Sequence, residues 1–202
     1  MTNKEILVLF YTTTGATKQL AQLIARGIES VSGMSARLRT VPKVSSVCEQ
    51  TAPEIPDSGV PYVSLQDLNE CVGLALGSPV RFGNMAASMK YFWDSTSGEW
   101  LSGALIGKPA CVFTSSGSMH GGQESCLISM MLPLLHHGMC IVGLPYSNSE
   151  LLTTRSGGTP YGVSHLAGSN ADLEISKEEK ALALAQGKHL AQIAAKLSIG
   201  NL

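Results

Sequence analysis

Apolar runs alternate with amphipathic segments along most of the chain. The apolar runs predict five strands, over residues 6–11, 36–41, 72–77, 108–113 and 139–145. Most of these runs are almost continuously apolar, as strands covered on both faces require, whereas residues 36–41 alternate like a strand with one solvated side. Helices are predicted over residues 17–30, 64–68, 85–94, 123–137 and, capped by Ser176, to about residue 197. This alternation predicts an α/β fold, a doubly wound five-stranded parallel sheet with helices on both faces.

Two segments interrupt the alternation. Residues 42–64 contain four prolines and little periodicity, which predicts an excursion on the surface. Residues 146–175 are polar and rich in glycine, and we expect them to form an insertion before the last helix. Because neither segment has the composition of a linker, residues 1–202 are expected to form a single domain with enough chain for a buried core.

Three of the predicted strands are followed by loops of small or hydroxyl-bearing residues, over residues 12–17, 78–84 and 114–122. Ligands of parallel sheets bind beyond the carboxyl ends of the strands, so three such loops at one edge favour a ligand site. The first loop, Thr-Thr-Thr-Gly-Ala-Thr, leads directly into a helix. Free N–H groups of a first helical turn, the helix dipole and nearby hydroxyls together bind anions. Lys18 is the only basic residue nearby in sequence, so we expect hydroxyls and amides to bind the anion.

Other phosphate-binding loops have patterns that are absent here. The P-loop pattern GxxxxGK[ST] requires a second glycine five residues before Gly15, and GxGxxG requires more than one glycine in the turn. A threonine-rich turn that only caps its helix remains the alternative interpretation of this loop.

Composition and charge exclude several classes of function. With a net charge of −1 and no basic cluster, the chain does not look like a nucleic-acid-binding protein. It has no apolar stretch of about 18 residues, so we expect no membrane span. The first residues lack a signal-peptide pattern, and the five cysteines are odd in number and lack CxxC spacing. These features predict a cytoplasmic protein with reduced core thiols and no metal site.

Residues 8–17 resemble the flavodoxin fingerprint, which has an apolar pair, an aromatic residue and then T-x-x-G-x-T. That resemblance implies FMN, with its terminal phosphate in the Thr12–Thr17 loop. Five further segments occur in an order similar to that of the WrbA-type NAD(P)H:quinone oxidoreductases, and the resemblance covers residues 4 to about 197. The segments are SPVRFGNM (78–85), the region of Trp100, GGQE (121–124), HHGM (136–139) and GGTPYG (157–162).

The resemblance implies a flavodoxin-like enzyme with a defined reaction. It would reduce quinones by two electrons with NADH or NADPH, passing hydride to and from FMN in a ping-pong cycle. Such enzymes assemble as homotetramers, and a homodimer is also possible. The remaining hypotheses are a flavodoxin-type electron carrier, a regulatory protein that binds FMN without turnover, and a phosphate-loop nucleotide binder.

The resemblance also implies which residues form the site. It assigns catalytic roles to His136 and Trp100, with Trp100 lining the substrate site and His136 also touching the flavin. The other implied cofactor-binding residues are Thr12, Thr13, Thr14, Gly15, Ala16, Thr17, Pro79, Val80, Arg81, Phe82, Gly83, Asn84, Thr114, Ser115, Ser116, Gly117, Ser118, Gly121 and Gly122. The chain departs from its relatives at Thr14, where many carry a ring, and at Met119-His120, in a loop that is a residue longer.

Some of these residues also have ordinary structural interpretations. Arg81 would then be a solvated loop charge and Phe82 part of the core, while Trp100 would be a buried or interfacial tryptophan. The pair His136-His137 would cap or pack the end of its helix, where the dipole favours a cationic side chain. We expect Trp93 to be a core or subunit-contact residue.

Overall fold

The computed structural model describes residues 4–44 and 59–198. Its strands are β1 (Lys4–Phe10), β2 (Met34–Thr40), β3 (Gly73–Pro79), β4 (Pro109–Ser116), β5 (Cys140–Ile141) and β6 (Val163–Leu166). Its helices are α1 (Ala16–Glu29), α2 (Leu65–Glu70), α3 (Ala87–Asp94), α4 (Ser97–Ser102), α5 (Gln123–His136), α6 (Glu150–Thr153) and α7 (Lys177–Leu197).

All the strand pairs are parallel, in the order β2-β1-β3-β4-β5. The first residues of β4 pair with β5, and Phe113–Ser116 pair with β6. The fifth position of the sheet is therefore filled by two short strands, end to end along β4. The predicted doubly wound sheet is confirmed, and the insertion lies inside its fifth strand.

The two faces of the sheet build two hydrophobic layers. Side chains of a strand point alternately to either face, so in β1 Ile6, Val8 and Phe10 join the layer under α1 and α7. Leu7 and Leu9 join the layer under α2, α3 and α5. All five side chains are fully buried. This burial on both faces explains why the apolar run of β1 is continuous.

Helices α1 and α7 cross at two glycines. A Cβ at Gly27 would lie 2.1 Å from the Leu184 carbonyl oxygen, and one at Gly187 would lie 2.0 Å from that of Ile24. The two backbones approach so closely that neither position has room for a side chain. This contact fixes α1, and with it the loop that precedes α1.

The insertion is anchored by Glu179, in the first turn of α7. Its carboxylate accepts hydrogen bonds from the backbone N–H groups of Gly157 (2.7 Å), Leu166 (3.0 Å) and Ser176 (2.8 Å), and from His165 Nδ1 (2.9 Å). Burial alone would raise the pKa of Glu179, but the hydrogen bonds from His165 and the backbone outweigh it and lower the pKa to about 2. The ionised carboxylate thereby holds the insertion, β6 and α7 together.

Several predicted boundaries are wrong. The strand expected over 139–145 has only two residues, because Leu144 N–H bonds Pro160 O inside the insertion. The insertion expected over 146–175 contains α6 and β6, and helix α4, which was not predicted, follows α3. Thr114, Ser115 and Ser116, expected in a loop, belong to β4, and Pro79 to β3. The surface excursion predicted over 42–64 falls partly outside the described residues.

Candidate functional site

The first loop, residues 11–15, joins β1 to α1. Gly15 has a φ of +100°, a conformation that glycine adopts freely, and a Cβ there would have no described atom within 4 Å. Thr12 Oγ1 accepts the Gly15 N–H at 3.0 Å, which closes the loop. Within the described residues no side chain caps the first turn of α1. The positive end of the helix therefore faces an open space beside Gly15, as an anion site requires.

The second loop, residues 80–84, follows β3 and contacts the first. Arg81 Nη2 donates to Thr13 Oγ1 at 3.0 Å. This guanidinium is a basic group beside the anion loop, in addition to Lys18, which is near the loop in sequence. The two residues are 68 positions apart in sequence and meet only because β1 and β3 are neighbours in the sheet.

A tight turn at residues 81–84 directs Phe82 outward. Arg81 N–H donates to Asn84 O and Asn84 N–H to Arg81 O, at 2.8 and 3.0 Å. Phe82 and Gly83 between them both have positive φ, 51° and 76°. Phe82 is fully exposed, so the interpretation of Phe82 as a core residue is wrong. A strained apolar residue that is held in the solvent is typical of a binding surface.

The third loop, residues 117–122, follows β4 and is supported from below. Ser115 Oγ lies 2.9 Å from Thr17 Oγ1, and Ser115 O accepts the Val80 N–H at 2.9 Å, so β4 touches the first turn of α1 and the second loop. A Cβ on Gly122 would lie 3.0 Å from Gly83 Cα, which shows how closely the second and third loops approach. The three loops thus meet at one edge of the sheet, beside the point where strand order reverses between β1 and β3.

A buried polar chain holds the third loop, and sequence reasoning missed it. Ser164 Oγ donates to Gln123 Oε1 at 2.6 Å, Gln123 Nε2 donates to Ser116 Oγ at 2.7 Å, and Ser116 Oγ donates to Ser118 O at 2.8 Å. The motif GGQE contains Gln123, but its partner Ser164 lies on β6, the strand that the sequence did not predict. Ser164 therefore carried no signal in the sequence.

The predicted cofactor residues differ in exposure. Thr114 is fully buried and its hydroxyl donates to Ser78 O at 2.8 Å, so this group is used within the protein. The exposed ones are Thr13, Thr14, Arg81, Phe82, Asn84, Gly117 and Ser118. The half-buried ones are Thr12, Gly15, Val80, Gly83, Gly121 and Gly122, and the buried ones are Ala16, Thr17, Pro79, Ser115 and Ser116.

His136 and Trp100 lie away from the three loops of their own chain. Helix α5 begins at the third loop and its 14 residues span about 20 Å to His136. Just beyond, Gly138 O accepts from Gly107 N–H and Cys140 N–H donates to Lys108 O, at the amino end of β4. Trp100 lies on α4, which touches the end of α5 through Thr96 and His137. Both residues are exposed, Trp100 by 52%. Within one chain, the three loops are therefore separated from Trp100 and His136, although all of them are predicted to belong to one site.

Trp93 is 5% exposed, which confirms its expected place in the core. Cys71, Cys111 and Cys126 are buried free thiols, Cys140 is exposed, and Cys48 lies outside the described residues. Burial raises the pKa of Cys111 to about 12, so this thiol stays protonated. Across residues 4–44 and 59–198 there is no group of three potential metal-ligating side chains, and no helix has the length and apolarity to cross a membrane.

Comparison with known proteins identifies the family. A family model described as NADPH-dependent FMN reductase matches residues 6–151. Proteins named NAD(P)H dehydrogenase (quinone) from Trichlorobacter lovleyi and Chromohalobacter salexigens are each 42% identical to this chain, over 96% of it and 98% of their own length. The chain belongs to the NADPH-dependent FMN reductase family. A third relative with the same name, from Syntrophobacter fumaroxidans, is 41% identical over the same shares.

Solved structures agree with the fold of this FMN reductase family member. A WrbA-like flavodoxin from Agrobacterium tumefaciens superposes with a TM-score of 0.67 at 21% identity, covering 96% of this chain and 98% of its own. A flavodoxin from the domain Archaea gives 0.62 at 19% identity, covering 95% and 99%. The flavodoxin-like fold is thereby confirmed.

The first loop fits the phosphate monoester of FMN, the cofactor of this family's description. It offers the uncapped turn of α1, open space at Gly15 and the hydroxyl groups of three threonines, with Arg81 alongside. These are hydrogen-bond donors that suit a dianion.

Proposed function

We propose that this chain is an FMN-dependent NAD(P)H:quinone oxidoreductase that reduces quinones by two electrons. The meeting of three loops around the uncapped α1 terminus carries this proposal, together with full-length relatives at 42% identity that are named NAD(P)H dehydrogenase (quinone). FMN bound at this site would supply the redox chemistry, the transfer of hydride from NADH or NADPH to the quinone.

The residues of the chain would bind FMN and orient its ring. Thr12, Thr13 and Thr17 with Gly15 would hold the phosphate, and the Arg81 guanidinium would add positive charge beside it. Residues 79–84 and 114–122 would line the ring, and Phe82 would exclude water from one side of it. If NAD(P)H and quinone use one slot beside Trp100 they must bind in turn, which gives ping-pong kinetics.

We further propose that a second copy of the chain completes the site, in a homotetramer or a homodimer. Trp100 and His136 are both exposed, and His136 lies at the far end of α5, about 20 Å from the third loop. Exposed apolar residues lie beside them. Those in α5 have the spacing of a single helix face, and others lie in or just after α4. These residues are Leu101, Ile106, Ile128, Leu132 and Leu135. An interface on this face would bring Trp100 and His136 of one copy to the loops of another.

The protein would act in the cytoplasm as a single domain over residues 1–202. The free, buried thiols of Cys71, Cys111 and Cys126 support a reducing compartment.

A visible spectrum of the protein loaded with FMN, followed by additions of NADH and then benzoquinone, tests the proposal. We expect NADH to bleach the bound flavin directly and benzoquinone to restore the colour, with steady turnover and parallel double-reciprocal plots. A bleached flavin without turnover would instead indicate a regulatory FMN-binding protein. A flavin that NADH leaves yellow would indicate a carrier that needs a reductase, and failure to bind FMN would remove the proposal.

A further inference from the structure

A buried polar contact lies where α3, α4 and α5 meet, far from the three loops. It consists of Trp93, Thr96, Glu99 and His137, and we call it the α4–α5 junction. Thr96 and His137 are 1% and 7% exposed. The Trp93 ring packs edge-on against the His137 ring, with centroids 5.3 Å apart. The chemistry proposed above makes no use of these four residues.

The hydrogen bonds of Thr96 fix the tautomer of His137. The Thr96 hydroxyl has one proton, which it donates to Trp93 O at 2.8 Å. The same oxygen lies 3.0 Å from His137 Nε2 and must accept a hydrogen bond from it. Nε2 therefore carries the proton. Burial lowers the pKa of His137, an effect that the charge of Glu99 opposes and that of His136 reinforces, so the ring is neutral at pH 7.

Three buried polar atoms of the junction have no partner among the described residues. They are Trp93 Nε1, Glu99 Oε2 and His137 Nδ1. Buried polar atoms without partners are rare in folded proteins, and here they come together in one contact. The Thr96–His137 hydrogen bond is the side-chain link that the described residues show between the start of α4 and the end of α5, and a backbone bond from Gly107 N–H to Gly138 O follows α4.

Helix α4 depends on this connection because it has little packing of its own. None of its residues, Ser97–Ser102, is buried. It is held by the residues on either side, Thr96 before it and the fully buried Leu105 after it. The Trp100 N–H donates to Thr96 O at 3.1 Å, so the residue that bonds His137 also bonds the backbone of Trp100.

We propose that His137 is a positioning residue that, through its hydrogen bond to Thr96, holds Trp100 in a fixed place relative to the neighbouring His136. This inference rests on the proposed function, in which Trp100 and His136 together complete a site. His137 itself touches neither substrate nor cofactor. It ties the end of α5 to the start of α4, so that the two exposed side chains reach another subunit as one rigid unit.

A pair of substitutions at Thr96 tests the hydrogen bond separately from packing. Thr96→Val keeps the shape and removes the hydroxyl, whereas Thr96→Ser keeps the hydroxyl. We expect Thr96→Val to lower kcat/KM for benzoquinone roughly tenfold, since misplacement by about an ångström costs this much or more. FMN affinity should stay unchanged, and Thr96→Ser should restore most of the rate. His137→Phe, which keeps a ring against Trp93, should match Thr96→Val, and the double variant should be no worse than either.

Fluorescence of the FMN-free protein gives a readout that does not depend on turnover. In a Trp93→Phe background Trp100 is the remaining tryptophan of the chain's two. Adding Thr96→Val should raise the acrylamide quenching constant of Trp100 about twofold, because a loosened α4 exposes the ring more often. Adding Thr96→Ser should not. Thermal melting of each variant checks that the fold persists.

The outcomes separate the two proposals. If Thr96→Val leaves both quenching and kcat/KM as in the parent, or if Thr96→Ser is as impaired as Thr96→Val, the positioning role is overturned. If the parent binds FMN without reducing quinones, the proposed function fails, but the quenching of Trp100 still decides whether the hydrogen bond holds α4.

Discussion

At the scale of single residues, Gly15 combines an unusual backbone with open space. Its φ of +100° disfavours any L side chain, although a Cβ would meet no described atom within 4 Å. We expect Gly15→Ala to cost about 1–2 kcal/mol of the free energy of unfolding. It should also weaken FMN binding roughly tenfold or more by disturbing the N–H groups that face the phosphate. Urea unfolding and fluorescence titration with FMN measure the two effects.

Gly33 provides the matched control. It has a φ of +78° and equally open surroundings, but it lies in the turn between α1 and β2. Gly33→Ala should lose similar stability and bind FMN as the parent does. Equal losses of FMN affinity in both variants would show that Gly15 acts through stability alone.

Glu179 makes the free energy of unfolding depend on pH in the acid range. Its pKa lies at about 2 in the fold, against an ordinary value of 4.5. A lowered pKa contributes stability that is complete above pH 4.5 and is lost as the pH falls toward 2, here about 3 kcal/mol. Glu179→Gln should therefore lower the free energy of unfolding at pH 7 by about that amount and flatten its slope between pH 4.5 and 2.

The control for Glu179 is its neighbour on the same helical turn. Glu178 is half-buried and lies one residue earlier in α7. Glu178→Gln should keep the acid slope of the parent in urea unfolding at several pH values. A parent slope that persists in Glu179→Gln would show that other carboxylates cause the acid sensitivity.

At the scale of elements, the crossing of α1 and α7 is set by Gly27 and Gly187. Alanine favours a helix over glycine by about 1 kcal/mol, yet a Cβ at either position would overlap a backbone carbonyl of the other helix. We expect Gly187→Ala to be destabilising by about 1–3 kcal/mol, since a backbone must move. Gly98→Ala in α4, with no described atom within 4 Å, should be neutral or stabilising in thermal melting. Equal melting temperatures of the Gly187→Ala and Gly98→Ala variants would contradict the close approach of the two helices.

Elements defined by local patterns could be predicted from the sequence. Strands β1 and β3 are covered on both faces, which makes their apolar runs continuous. The capping boxes at Ser64 and Ser176 lie within four residues, and the structure has both. The anion site at residues 12–17 was predictable for the same reason, because it depends on residues that are consecutive in the chain.

Features that depend on distant contacts could not be predicted. Strand β6 has only four residues, with Ser164 and His165 in its middle, and exists because β4 and Glu179 hold it. The Arg81–Thr13 hydrogen bond joins positions 68 apart. No periodic pattern in the sequence predicts either contact, because both form only when distant segments meet in the folded sheet.

At the scale of the whole molecule, the division of the site between chains can be tested by mixing subunits. Gly15→Asp should prevent FMN binding, because the carboxylate would repel the phosphate. A second variant, Trp100→Ala with His136→Ala, should bind FMN without reducing quinones efficiently. Neither should be active alone. Co-expressed, they should form mixed oligomers in which roughly a quarter of the sites combine an intact loop with intact partner side chains.

Two results would argue against a shared site. Co-expressed subunits that form mixed oligomers but stay inactive would mean that each chain completes its own site. A protein that sediments as a monomer while reducing quinones would mean the same. Leu132→Glu, on the exposed face of α5, is expected to prevent assembly and turnover while leaving FMN binding to the loops intact.

The division of the fifth strand between β5 and β6 has a consequence for how the polypeptide can be dissected. Each half is held by β4 independently, and α7 is held by α1 through the glycine crossing. Cleavage of the backbone near residue 148 would leave two fragments that are complementary at the β4–β6 pairing and at the α1–α7 contact. Such fragments should recombine spontaneously, so this chain offers a split reporter whose yellow colour would signal reassembly.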